Sequence, residues 1–143
     1  MITVNTESNG VDEPHLGEFW LNSICNTICS DHGHETGTIA FIFSTDKTLR
    51  ELKMNFFKED VYTDVISFNL EDDGDPVEGE VYISLERIAE NAKNYKVEFI
   101  KELRRIIIHG ILHLMGLDDQ SADEKEKMTH LENKYLNSLG ELN

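Results

Sequence analysis

The chain has 143 residues, of which 39% are hydrophobic and 29% charged, and its formal net charge is −15 at neutral pH. This length and composition predict one soluble globular domain. No apolar run is long enough to span a membrane, and the first residues lack the basic and apolar regions of a signal peptide, so a cytoplasmic protein is expected. The large negative charge argues against nonspecific binding to nucleic acid.

Two strands and a helix are predicted in the first part of the chain. Ile2 to Asn5 predicts a short strand, and Asp12-Glu13-Pro14 predicts the start of a helix, because proline is favoured in a first helical turn. The apolar residues of this helix recur at helical spacing: Leu16, Phe19, Trp20, Ile24 and Ile28. Thr38 to Ser44 predicts a second strand that is apolar on both faces, so both faces should be covered.

The middle of the chain predicts a helix, two strands and a further helix. Ser44-Thr45-Asp46 offers several caps for a helix that reaches Phe56. Thr63 to Phe68 predicts a buried strand, and the turn formers from Glu71 to Gly79 predict a loop. Glu80 to Ser84 predicts the fourth strand, whose final serine can cap the next helix.

Two helices are predicted at the end of the chain. The first runs from about Val97 to Leu114, and Ser121-Ala122-Asp123-Glu124 forms a capping box that opens the last one. The predicted fold class is α+β: a single domain over residues 1–143, with a small mixed β-sheet of about four strands covered by about five helices. Strands separated by a helix should pair parallel, and the two strands joined by a loop should pair antiparallel.

Two histidines within the apolar part of the Val97–Leu114 helix predict a metal site. His109 and His113 lie four residues apart, which places both imidazoles on one helical face. Gly116 can end the helix in a left-handed turn and bring Asp119, with Asp118 beside it, over the two rings. Two His nitrogens and one carboxylate oxygen would hold one zinc ion, or another divalent metal, with a fourth position open. Simple packing of the histidines in the core is the alternative.

The spacing of these residues is shared with the metzincin peptidases. Those enzymes carry a glutamate directly after the first histidine, where it serves as the general base. Gly110 occupies that position here and cannot accept a proton. A zinc peptidase is therefore unfavoured.

Three segments resemble the YbeY family of bacterial rRNA maturation factors, which are regarded as metal-dependent endoribonucleases. The family segments His-Gly-x-Leu-His-Leu-x-Gly-x-Asp-His, Thr-Asp-Val-Leu-Ser-Phe and Gly-Asp-Ile-x-Ile-Ser correspond to His109–Asp119, Thr63–Phe68 and Gly79–Ser84. The resemblance implies a single-strand-specific metallo-endoribonuclease acting in ribosome biogenesis. Its implied roles are maturation of the 3′ end of 16S rRNA and ribosome quality control. Because no glutamate stands at position 110, either metal-bound hydroxide or a ribose hydroxyl would attack the phosphate without that base. The implied partners are single-stranded ribosomal RNA and the small ribosomal subunit, without a membrane.

Two positions depart from the family pattern. The family's last histidine is Asp119 here; a carboxylate can also ligate zinc, but it changes the charge and softness of the site and so leaves other divalent metals open. The family also carries an arginine, thought to take part in catalysis, at the position of Phe57. That catalytic role is expected to pass to the neighbouring Lys58 or to Arg105, which lies four residues before His109 on nearly the same helical face.

The charges are unevenly distributed along the chain. Five basic residues cluster just before the histidines: Lys93, Lys96, Lys101, Arg104 and Arg105. The basic strip around Lys101, Arg104 and Arg105 is expected to face RNA and to open on the metal site. Residues 71–80 are strongly acidic and form either a solvated loop or a docking surface for a basic protein partner on the small subunit. A ribosome-assembly binding protein with a structural metal is the alternative function, because an acidic protein without an evident base fits it well.

Overall fold

Four strands form one mixed sheet in the computed structural model, which describes residues 1–139. The strands are β1 (Ile2–Ser8), β2 (Gly37–Ser44), β3 (Val65–Asn69) and β4 (Val77–Ser84). Their order across the sheet is β1-β2-β4-β3, with β2 parallel to both β1 and β4 and with β3 antiparallel to β4. The expected mixed sheet, with parallel pairs across helical connections and an antiparallel pair across the loop, is confirmed.

Five α-helices accompany the sheet. They are α1 (Glu18–Asp31), α2 (Asp46–Leu52), α3 (Leu85–Tyr95), α4 (Phe99–Leu114) and α5 (Ala122–Ser138). A π-helical turn, Lys53–Phe57, continues α2. Within residues 1–139, no helix is both long and apolar enough to cross a membrane. The α+β class with about four strands and about five helices is confirmed.

The first helix differs from its predicted form. It begins at Glu18 rather than at Asp12-Glu13-Pro14, because Gly17 adopts a φ of 84° and separates the helix from the preceding segment. Phe19 is 74% exposed, whereas Trp20 is completely buried. The prediction that Phe19 belongs to the apolar face was wrong, since the buried face of α1 consists of Trp20, Leu21, Ile24, Cys25, Ile28 and Cys29.

The second helix also ends differently from its prediction. The regular α-helix stops at Leu52, and the π-helical turn that follows leaves Phe56 66% exposed. The turn ends at Lys58, which has a left-handed backbone conformation with a φ of 58°. The widened turn therefore takes Phe56 out of the buried stripe to which helical spacing assigned it.

Helix α4 packs closely against the sheet at Gly110. Ser67 Oγ on β3 donates a hydrogen bond of 3.0 Å to the carbonyl oxygen of Gly110, and Asn69 Nδ2 donates one of 2.9 Å to Leu114. A Cβ atom at Gly110 would lie only 2.7 Å from Val81 Cγ1 on β4. The glycine thus permits close approach of helix and sheet, and it fixes which faces of α4 point away from the sheet.

Candidate metal centre

The end of α4 and the loop that follows it bring three possible metal ligands together. His109 Nε2 and His113 Nε2 are 2.9 Å apart, and Asp119 Oδ2 lies 3.3 Å from the first and 3.7 Å from the second. Gly116 has a φ of 94°, and its N–H bonds to the carbonyl of His113 at 3.0 Å. The chain therefore turns back at Gly116, as the sequence predicts.

The distances among these atoms suit a single metal ion. Zinc bonds to His nitrogen and carboxylate oxygen at about 2.0–2.2 Å, so tetrahedral ligands lie roughly 3.3 Å apart. The three observed separations bracket that value. The side chains of His109, His113 and Asp119 are 19%, 27% and 30% exposed, so a substrate can approach from solvent. This donor set fits a divalent metal with an open coordination position.

The loop between α4 and α5 is held in place at both ends. Asp118 Oδ1 accepts a hydrogen bond of 2.9 Å from the backbone N–H of Asp119. Ser121 and Glu124 form the predicted capping box, in which each side chain accepts a hydrogen bond from the other residue's backbone N–H. Asp118 thus supports the loop backbone, whereas the Asp119 carboxylate faces the two imidazoles.

A chain of polar contacts continues behind His109. Its Nδ1 lies 2.7 Å from Glu132 Oε2 on α5, and the other carboxylate oxygen accepts a bond of 3.0 Å from Arg105 Nη1. Burial lowers the pKa of His109, but the hydrogen bond and charge of Glu132, together with the charges of Asp119 and Asp64, outweigh it and raise that pKa. Sequence reasoning missed Glu132, because only the packing of α5 on α4 brings it to the histidine.

Two further carboxyl groups lie near this chain. Burial raises the pKa of Asp64, which precedes β3 and accepts a hydrogen bond of 3.1 Å from Asn91 Nδ2. Burial, followed by the charge of Asp64, also raises the pKa of Glu102, a residue of α4 that is only 4% exposed. Arg105 is the counter-charge that lowers the pKa of Glu102 again. Asp64, Glu102 and Glu132 therefore form an acidic group behind the candidate metal centre, with Arg105 as their counter-charge.

The predicted catalytic residues occupy different places. Arg105 lies on the histidine face of α4, as its spacing predicts, and its guanidinium contacts Glu132 and also Asn133, at 2.8 Å. Lys58 is exposed at the end of the π-helical turn, and within residues 1–139 no hydrogen bond or ion pair joins it to the three candidate ligands. The structure thus links Arg105, but not Lys58, to the centre; whether either residue acts in catalysis stays a prediction.

The predicted basic strip is divided. Arg104 Nη2 donates a hydrogen bond of 3.0 Å to the carbonyl of Leu16, and the guanidinium lies 4.7 Å from the centre of the Trp20 ring. Arg104 therefore packs against the start of α1, whereas Arg105 points to α5. Lys101 is exposed on α4, so the two arginines and this lysine do not form one continuous surface beside the histidines.

Known proteins resemble this chain over nearly its whole length. A family model described as Endoribonuclease YbeY matches residues 1–140. The Endoribonuclease YbeY of Phocaeicola vulgatus is 36% identical over 136 residues, which are 95% of this chain and 96% of that protein. The protein of the same name from Bacteroides thetaiotaomicron is 35% identical over 94% of this chain and 98% of its own length. A solution structure from Thermotoga maritima superposes with a TM-score of 0.62 at 25% identity, covering 95% of this chain and 91% of that one.

Proposed function

This chain belongs to the endoribonuclease YbeY family, and we propose that it is a metal-dependent phosphodiester hydrolase that cuts single-stranded ribosomal RNA. The observation that carries the proposal is the group of His109, His113 and Asp119 at the solvent-facing end of α4. We take residues 1–143 as one endoribonuclease domain, which agrees with a family match over residues 1–140.

The proposed cofactor is one zinc ion, with other divalent metals as substitutes. His109 and His113 would supply neutral nitrogen ligands, and Asp119 would supply an anionic oxygen. When bound, such an ion supplies Lewis acidity toward a phosphoryl oxygen and lowers the pKa of water. Asp119 also reduces the positive charge of the loaded centre below that of a three-histidine site.

We propose that Arg105 or Lys58 stabilises the negative charge of the phosphoryl group during cleavage. The Arg105 side chain is 29% exposed and is tied to His109 through Glu132, so a phosphate at the centre would lie near its positive charge. Lys58 offers an ammonium group on a flexible stem, which suits phosphate, and it directly follows Phe57, whose ring stacks 6.0 Å from that of Phe68. The present contacts favour Arg105 over Lys58.

A peptidase function is not supported by the position of Gly110. Its absent side chain would point at Val81 and Ser67 on the sheet rather than at the histidines. No proton acceptor can therefore be placed at this position without moving the helix. The alternative of a ribosome-assembly protein with a structural metal is also less favoured, because structural zinc sites are closed by four protein ligands. The described residues offer three ligands at this place.

The finer biological role rests on charge and on family membership. We propose that the enzyme acts in the cytoplasm on the 3′ end of 16S rRNA and in ribosome quality control. A net charge of −15 disfavours tight binding to free RNA. The proposed substrate is therefore presented on the small ribosomal subunit, with a basic protein partner docked on the acidic residues 71–80.

The function can be tested with a single-stranded RNA and the duplex of the same sequence. The metal-loaded protein should cleave the single strand and leave the duplex intact. His113→Ala should abolish cleavage, whereas His130→Ala, which removes an exposed histidine of α5, should not alter it. Equal cleavage by the wild type and His113→Ala would contradict the proposal, and loss of activity in His130→Ala would show that histidine replacement is damaging in general.

A further inference from the structure

The contact between α5 and His109 assigns a role to a residue outside the ligand set. We propose that Glu132 is a positioning residue of the metal centre, which holds the His109 ring so that Nε2 carries the free lone pair, and that Arg105 anchors Glu132 for this purpose. The inference rests on the proposed metal site at His109, His113 and Asp119, but it does not depend on RNA cleavage.

The hydrogen bond to Glu132 determines which ring nitrogen carries the proton. An ionised carboxylate can only accept hydrogen bonds, so His109 Nδ1 must donate across the 2.7 Å to Glu132 Oε2. In the neutral ring, Nε2 then has no hydrogen and presents its lone pair. That atom is the one that lies 2.9 Å from His113 Nε2 and 3.3 Å from Asp119 Oδ2. The hydrogen bond at Nδ1 thus orients the ring so that Nε2 faces the metal site.

Glu132 is buried, and both of its carboxylate oxygens have hydrogen-bond partners. The residue is only 7% exposed, and a buried carboxylate without a partner would be strongly destabilising. Arg105 Nη1 meets the second carboxylate oxygen at 3.0 Å, and Arg105 Nη2 is itself held by Asn133 Oδ1 at 2.8 Å. Each oxygen of Glu132 therefore has a separate partner, one on the ring and one on the guanidinium. The result is a chain from α5 through Arg105 and Glu132 to the ligand.

A purely structural salt bridge between α4 and α5 is the competing explanation. It requires only the pair of Arg105 and Glu132, and it predicts that removing Glu132 loosens the two helices without a specific effect on the His109 ring. A positioning role predicts instead that metal affinity and the tautomer of His109 change even when the fold is intact. These two readouts separate the explanations.

The first test measures metal affinity by competition with a chelator of known strength. Glu132→Ala should bind zinc about 10–100-fold more weakly than the wild type, as is common when the carboxylate partner of a ligating histidine is lost. Glu132→Gln, which keeps the shape and an acceptor oxygen, should lose less. Glu126→Gln, at an exposed position of the same helix, is the matched control and should bind zinc as tightly as the wild type.

The second test observes the His109 ring directly in the metal-free protein. Nitrogen-15 chemical shifts should show the Nδ1–H tautomer in the wild type and in Glu132→Gln, and a loss of that preference in Glu132→Ala. Spectra of the backbone amides report whether each variant is folded. Unchanged zinc affinity together with an unchanged tautomer in folded Glu132→Ala would overturn the proposal.

A double-mutant cycle tests the part assigned to Arg105. If Arg105 acts on the metal only through Glu132, Arg105→Ala should weaken zinc binding in the wild-type background and have no further effect in Glu132→Ala. Independent, additive losses would contradict the anchoring role. Failure of the enzyme to cleave RNA would leave these affinities unaltered, so the proposed activity and this inference fail in distinguishable ways.

Discussion

Asp119 gives the candidate centre a carboxylate where the family pattern ends in histidine. Its Oδ2 lies near both imidazoles, while the neighbouring Asp118 is engaged with the loop backbone. Two neutral imidazoles and one carboxylate leave a divalent ion with one net positive charge among its ligands. Because Glu132 adds a further negative charge behind His109, this centre is more acidic than a three-histidine site, and we expect it to retain hard divalent ions as well as zinc.

The buried carboxyl of Glu102 predicts a pH-dependent stability difference. Burial and the Asp64 charge raise its pKa in the folded protein above the unfolded value. The stabilising contribution of its neutral form is complete below the unfolded pKa of about 4.3 and is lost as the pH rises through the folded pKa. Glu102→Gln should therefore gain stability over the wild type at pH 7, and less or none at pH 4.

Urea unfolding of both metal-free proteins at the two pH values measures this difference. Glu90→Gln, an exposed position on α3, is the control that removes a carboxyl without burial. An advantage of Glu102→Gln that is equal at pH 4 and pH 7 would show that its cause is packing rather than ionisation.

The approach of α4 to the sheet predicts the effect of a side chain at Gly110. Gly110→Ala would gain about 1 kcal/mol in helix propensity, but its Cβ would lie 2.7 Å from Val81 Cγ1 and 3.3 Å from Ser67 Oγ. Overpacking of this kind costs about 1–3 kcal/mol, and Val81 is completely buried in β4. We therefore expect Gly110→Ala to lower the free energy of unfolding, measured with denaturant.

The double variant Gly110→Ala, Val81→Ala provides the control for that prediction. If the overlap with Val81 causes the loss, the double variant should be more stable than the sum of the two single losses implies. Strict additivity, or a stabilised Gly110→Ala, would contradict the close packing of α4 on β4.

The start of α5 links helix stability to the metal centre. Ser121 caps this helix and ends the loop that carries Asp119. Ser121→Ala should cost about 1 kcal/mol of stability and weaken metal binding, because the carboxylate of Asp119 becomes less well positioned. Ser138→Ala, which removes a hydroxyl bonded to Tyr135 at the other end of the same helix, is the matched control. Unchanged zinc affinity in Ser121→Ala would mean that the loop is fixed by other contacts.

The sequence predicted best those features that depend on neighbouring residues. The capping box of Ser121 and Glu124, the spacing of His109 and His113 and the turn at Gly116 are local, and all three appear in the structure as expected. The start of α1 was predicted wrongly, because Pro14 indicated a first helical turn, whereas the helix begins only after Gly17. The bond from Glu132 to His109 spans 23 residues and two helices. This contact arises only when α5 packs on α4, and the spacing of residues in a single sequence does not predict how two helices pack.

The acidic residues 71–80 are the proposed docking surface for a basic protein of the small ribosomal subunit, and this proposal can be tested by neutralising their charge. Glu71 accepts hydrogen bonds from the backbone N–H of Glu78, at 2.8 Å, and from Asn69, so it supports the loop itself. Asp72, Asp73 and Asp75 are exposed and can be replaced by asparagine without removing those bonds. This triple variant should co-sediment less with small ribosomal subunits if residues 71–80 dock a basic protein.

A second triple variant controls for net charge alone. Neutralising three exposed carboxylates elsewhere, Asp12, Glu51 and Glu90, changes the charge from −15 to −12 in the same way as the loop variant, since each replacement removes one negative charge. Equal co-sedimentation of both variants would remove the loop from the docking surface. Tight binding of the wild type to free RNA at physiological salt would also contradict delivery on the subunit.

The most direct test of the central claim measures metal content and RNA cleavage on the same samples. Metal-free protein is reconstituted with increasing amounts of zinc, and each sample is divided between elemental analysis and a single-stranded RNA cleavage assay. We predict that cleavage rises in proportion to bound zinc and saturates at one ion per chain, and that His109→Ala loses both together. Full cleavage by protein without metal, or a fully loaded protein that leaves the RNA intact, would contradict a metal-dependent endoribonuclease centred on His109, His113 and Asp119.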